Sequence, residues 1–201
     1  MKKAIPLLLL LFFLGCGKSF ADPPSEVGGF KLGANITAYK DSIVPDSALP
    51  LRHSEYLSEV DVKAPEGFKS GYLTYASCDQ EGKILKVKLK YDRDDKQFFD
   101  ELLEYFNKQF GKPNEYQGDA FRACIAWKWS FTGKENEQIN TTLSHNCEED
   151  EGEEGGNAVR MVLRSDIEKE RACFKAKQAK AADNKDDKNK KKPDFKLLVP
   201  R

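Results

Sequence analysis

Lys83–Gly111, KILKVKLKYDRDDKQFFDELLEYFNKQFG, decides the fold, because its hydrophobic period switches from two to 3.6 within 29 residues. Lys83–Tyr91 alternates strictly. Leu85, Val87, Leu89 and Tyr91 fall on one face, Lys86, Lys88 and Lys90 on the other, which is the pattern of an antiparallel strand with one face in water. Asp94 and Asp95 then offer an N-cap. From Asp95 to Phe110, Phe98, Phe99, Leu102, Leu103, Tyr105, Phe106 and Phe110 recur at i, i+3, i+4 spacing and form one wide apolar stripe. Gly111 is placed to end this helix in the left-handed conformation, and Pro113 blocks its resumption.

Upstream, Gly71–Cys78 is rich in β-formers and is joined to Lys83–Tyr91 by Asp79-Gln80-Glu81-Gly82, so the two read as a hairpin. Glu55–Lys63 is a further strand, and a short strand is expected around Phe30 and Leu32, separated by the proline-bearing loop 41–50. Downstream, Phe121–Phe131 alternates, with Phe121, Ala123, Ile125, Trp127, Trp129 and Phe131 sharing one face. Gln138–His145 is its partner, Asn157–Arg164 is the last strand, and Asp166 is placed to cap a final helix running to about Lys180. Consecutive strands, short connections and one strongly amphipathic helix predict an α+β domain. Its antiparallel β-sheet packs on one central amphipathic helix and is followed by a C-terminal helix, in the approximate order β-β-β-α-β-β-β-α. The tryptophan stripe is expected to pack against the helix. Trp127, Trp129 and Phe131 could instead stack on a sugar, but their face is the one that must cover the helix.

The N-terminus, MKKAIPLLLLLFFLGCGKSFA, has a basic n-region and an apolar run too short to span a bilayer. Two exits follow. Ser19-Phe20-Ala21 before Asp22 fits a secretory cleavage site, giving a signal over 1–21. Phe13-Leu14-Gly15-Cys16 resembles a bacterial lipobox, giving a signal over 1–15 and a lipidated Cys16. Either exit implies an exported chain in the periplasm or cell envelope. Residues 22–174 then form a single domain and 175–195 a lysine-rich, low-complexity tail. The tail is expected to be disordered or a frayed helix, since Lys175–Lys192 carries eight lysines against three aspartates. Residues 196–201 match the scar of a cleaved expression tag.

Lysine plus arginine number 33 and aspartate plus glutamate 33, so no global attraction to nucleic acid is expected. Apart from Cys16 there are four cysteines, Cys78, Cys124, Cys147 and Cys173. They are widely spaced with no C-x-x-C pair, which favours disulfides over zinc. Pairing of 121–131 with 138–145 brings Cys124 opposite Cys147 and leaves Cys78 for Cys173.

No catalytic constellation is present: His53 and His145 lie in no recognisable motif, and no cofactor or metal is expected. Glu148, Glu149, Asp150, Glu151, Glu153 and Glu154 form an acidic loop. Consecutive carboxylates point in alternating directions and cannot all converge on one Ca²⁺, so the run reads first as a solvated hairpin loop that repels itself, with a metal or a basic partner as the alternatives. The lysine ladder 86/88/90 reads as a solvated sheet face, and the tail could meet anionic lipid headgroups. These features point to a non-enzymatic exported bacterial envelope protein, a periplasmic or lipid-anchored binding or scaffolding domain for an unknown protein or envelope component. The alternative is a secreted or periplasmic inhibitor of a hydrolase that uses loop 148–154.

Overall fold

The computed structural model describes residues 23–147 and 155–189, the side chains of 182–189 excepted. The signal segment with Cys16, the acidic run 148–154 and residues 190–201 lie outside the described residues.

The chain opens with β1 (Glu26–Val27) and β2 (Phe30–Lys31), a hairpin turned by Gly28 and Gly29 at φ of 58° and 81°. It inserts Phe30 and Leu32 into the core. There follow β3 (Leu49–Leu51), β4 (Ser54–Asp61), β5 (Phe68–Ala76), β6 (Ile84–Tyr91), α1 (Lys96–Phe110), β7 (Glu115–Tyr116), β8 (Ile125–Thr132), β9 (Gln138–His145), β10 (Asn157–Leu163) and α2 (Arg164–Asn189). The eight-stranded sheet has the order β3-β4-β5-β6-β10-β9-β8-β7 and is antiparallel throughout. It consists of two meanders, β3 to β6 and β7 to β10, joined at the centre by β6 and β10. Helix α1 carries the chain from the centre to the far edge.

One face of the sheet is apolar. The register aligns Leu73, Val87, Met161, Thr141 and Trp129 in one row, and Leu89, Val159, Leu143 and Trp127 in the next. Helix α1 covers the β8–β9 side of this face. Phe99 packs with Trp129 and Leu143, and the Phe106 and Trp129 rings lie 5.4 Å apart. Asp95 caps the helix by accepting from Phe98 N at 2.9 Å. At the other end, Trp129 Nε1 donates to Gly111 O at 2.8 Å, so the tryptophan satisfies a helix-end carbonyl as well as filling the core. Helix α2 lies on the same face, with Ile167 and Phe174 against the larger cluster built by β4, β5, β6 and β10.

Several details differ from the sequence reading. Gly111 has φ 79° and ψ −170°, positive in φ but not left-handed helical. Tyr105 is 68% exposed and lies outside the apolar stripe. The β8 strand begins at Ile125, and Phe121 is 94% exposed. Asp166 is no cap: it lies in the first turn of α2, is buried, and pairs with lysines. Helix α2 continues to Asn189, into the lysine-rich stretch.

Candidate functional site

Opposite the helices, the second face of the sheet is polar, and no described helix packs over it. Its residues align strand by strand. Asp61 pairs with Tyr72, Tyr72 with Lys88, Lys88 with Arg160, Arg160 with Thr142, Thr142 with Lys128, and Lys128 with Glu115. Directly paired residues point to the same side, so these form one continuous row across β4, β5, β6, β10, β9, β8 and β7. The centre of the row is cationic and its two ends are acidic. The adjacent row runs Glu59, Thr74, Lys86, Val162, Asn140 and Ser130.

The lysine ladder is not the freely solvated face expected of it. Lys88 is only 3% exposed, Thr142 3% and Thr74 0%, while Lys86 and Lys90 are half-buried. Lys86 Nζ lies 4.9 Å and Lys88 Nζ 5.5 Å from the Tyr72 ring centroid, and Lys86 donates to the Tyr72 hydroxyl at 3.4 Å. Lys128 forms an ion pair with Glu115 on the edge strand, and its hydrogen bond holds the Glu115 carboxyl below the usual range. Two grooves flank the Lys88–Arg160 pair. One, of about 470 Å³, is lined by Lys86, Lys128, Arg160, Arg164 and by amide and hydroxyl side chains including Asn140 and Thr142. The other, of about 350 Å³, is lined by residues including Lys69, Tyr72, Lys88, Lys90 and Asp61. Among the described residues no carboxylate lines the larger groove.

The remaining charged chemistry is structural. Cys78 and Cys173 are bonded, and Cys124 and Cys147 are bonded, in the connectivity that strand pairing predicted. Three residues before Cys173, Glu170 is 1% exposed and accepts backbone N–H groups from Cys78, Asp79 and Gln80 at 2.8–3.2 Å. One carboxylate thus satisfies the tip of the β5–β6 hairpin while the disulfide ties it to α2. Asp166, one turn earlier, is 2% exposed. Burial alone would raise its pKa, but hydrogen bonds from Lys169 and Lys83 bring it below the usual carboxylate range. Arg171 Nε donates to the Tyr56 hydroxyl at 3.1 Å. The sequence reading gave Glu170 no role and took Asp166 for a helix cap. Their signal was the i, i+4, i+7 spacing of Asp166, Glu170 and Cys173, which puts all three on one helix face.

The segment before β8 is a braced loop. The Asp119 carboxylate accepts from Phe121 N at 2.6 Å and from Cys124 N, which lowers its pKa. The Tyr116 hydroxyl donates toward Asp119 O and Cys124 O. Arg122 sits at φ 59°, and a Cβ on Gly118 would lie 2.3 Å from Cys124 O. Phe121 projects from this loop.

The two histidines stay apart from any reactive cluster. His53 is exposed in the turn after β3. His145 is 7% exposed, with Nδ1 2.8 Å from Asn157 Oδ1, Nε2 3.1 Å from Asn146 Nδ2, and its ring against Phe99. Among the described residues no three or more His, Cys, Asp or Glu side chains are grouped so as to hold a metal, and no helix is long and apolar enough to cross a membrane. The two disulfides point to an oxidising, extracytoplasmic location. No family model matches the chain, no curated protein matches it, and no solved structure matches its fold.

Proposed function

We propose that this chain is a non-enzymatic exported protein of a bacterial cell envelope whose polar sheet face, over which no described helix packs, binds another envelope component. The observation that carries this reading is the row Tyr72–Lys88–Arg160–Thr142–Lys128, charged and partly buried on a face left open by both helices. A sheet that needed only solubility would present spaced, mixed charges there. The signal segment and two disulfides support export, with the mature chain beginning at Asp22 in the periplasm or at an acylated Cys16 on the membrane. Lysine footprinting tests the face directly, by comparing amine acylation of the protein in intact cells with that of the purified protein. Lys86, Lys90 and Lys128 should be protected in the cell, and Lys108 and Lys112 on the helix side should react equally in both. Equal labelling of all five would remove the binding-face reading. Intact mass of the native chain then separates acylated Cys16 from free Asp22.

A second reading, inhibition of a hydrolase, draws on the braced loop before β8. A fully exposed phenylalanine on a pre-ordered loop beside the Cys124–Cys147 bridge resembles an anchor for a partner's apolar pocket. The acidic run 148–154 begins one residue after that bridge. A panel of lysozymes and proteases assayed with wild-type protein and Phe121→Ser tests it; no inhibition by wild type removes it.

A further inference from the structure

We propose that Phe121 plugs the apolar specificity pocket of an endopeptidase selective for aromatic side chains, and that the turn carrying it is built to resist cleavage. This rests on the inhibitor reading and gives that reading its enzyme class.

The backbone around Phe121 is fixed from several directions. Arg122 N donates to Asp119 O at 3.3 Å and closes a turn, with Ala120 and Phe121 at its two central positions. The Asp119 carboxylate takes the N–H groups of Phe121 and Cys124. The Tyr116 hydroxyl donates toward Asp119 O and Cys124 O, and its ring sits against Trp127 with centroids 4.8 Å apart. The Cys124–Cys147 bridge ties the end of the loop to the chain leaving β9. A loop already ordered loses little entropy on docking, so a single side chain can serve as its anchor.

The profile of the turn selects a pocket. Phe121 is 94% exposed, and the exposed residues on either side include only the small Ala120 and Ala123 besides Arg122. A groove would be met by several apolar residues in line, whereas one ring on a narrow turn enters a single deep cavity. Burying that ring is favourable by about 1.5–3 kcal/mol. Burying the Arg122 guanidinium needs a matching carboxylate, which makes the phenylalanine the stronger anchor.

The same hydrogen bonds make the turn a plug and not a substrate. A peptidase holds its substrate as an extended strand, through main-chain N–H and C=O groups. Here the N–H groups of Phe121 and Arg122 are both committed inside the turn. Arg122 also sits at φ 59°, away from extended backbone. The Phe121–Arg122 bond therefore cannot be laid into a cleavage register unless the Asp119 brace opens.

The test sets the disulfide-bonded chain against chymotrypsin, trypsin and elastase, whose pockets are respectively an apolar slot, an aspartate-based site and a small cavity. Competitive inhibition of chymotrypsin alone is expected, with the Phe121–Arg122 bond intact by mass spectrometry. Phe121→Ser should weaken inhibition about 30-fold or more. Asp119→Ala keeps the ring but loosens the turn, and should weaken inhibition about tenfold and expose the bond to cleavage. Tyr105→Ser, which removes another exposed aromatic, should change neither readout. Inhibition of trypsin that is lost in Arg122→Gln would overturn the proposal, by making the arginine the anchor. Rapid cleavage after Phe121 in the wild-type chain would overturn it as well, by making the turn a substrate. If a lysozyme is inhibited and chymotrypsin is not, the enzyme class is wrong and the inhibitor reading stands. Inhibition of no enzyme removes both.

Discussion

Lys88 on β6 and Arg160 on β10 oppose each other across the central strand pair, and Lys88 is 3% exposed. The pair is packed into the sheet, with Lys88 Nζ 5.5 Å from the Tyr72 ring centroid and Lys86 Nζ 4.9 Å from the same ring.

Glu170 is predicted to matter more than any surface charge. Glu170→Ala leaves the N–H groups of Cys78, Asp79 and Gln80 without their acceptor and should lower stability by about 3 kcal/mol. Glu170→Gln keeps one acceptor oxygen and should lose less. Urea denaturation of the two oxidised variants measures the difference.

The two disulfides should contribute unequally. Cys78–Cys173 closes 95 residues and Cys124–Cys147 closes 23. Loop-closure entropy then gives about 4.7 and about 3.4 kcal/mol respectively. Replacing each pair by serine should therefore destabilise in that order, with α2 losing amide protection first when Cys78–Cys173 is removed.

Asp166 makes stability depend on pH at the acid end. Its folded pKa lies below the unfolded value, so the native state binds the proton less readily than the unfolded chain. Its contribution is complete above about pH 4, the unfolded value, and is lost as pH falls through the lower folded pKa. Asp166→Asn should destabilise by about 2 kcal/mol at neutral pH and flatten the acid limb of the stability profile. Denaturation midpoints measured from neutral pH downward check this.

Phe121 should be dispensable for folding. At 94% exposure it buries almost nothing, so Phe121→Ser should change stability by no more than about 0.5 kcal/mol. Thermal melts of the two proteins test it. A large loss would mean that the loop before β8 is held by the ring and not by Asp119.

Much of the fold was legible because local and tertiary signals agree. The 71–91 hairpin, the Asp95 cap, the stripe over α1 and the opposition of Cys124 to Cys147 all follow from spacing alone. Phe121–Cys124 was misread because alternation continues through it. The competing signal was Asp119, whose side chain captures the N–H groups of Phe121 and Cys124 and withdraws them from the ladder. The candidate site was half legible. Lys86, Lys88 and Lys90 visibly share a face, but nothing within one strand tells that Arg160 and Lys128 complete the row from strands that come tens of residues later.

The central claim is that the polar face of the sheet binds another component of the cell envelope. Amine acylation of the protein in intact cells, compared with that of the purified protein, tests it most directly. The account predicts protection of Lys86, Lys90 and Lys128 in the cell and equal reaction of Lys108 and Lys112. Equal labelling of all five would contradict it.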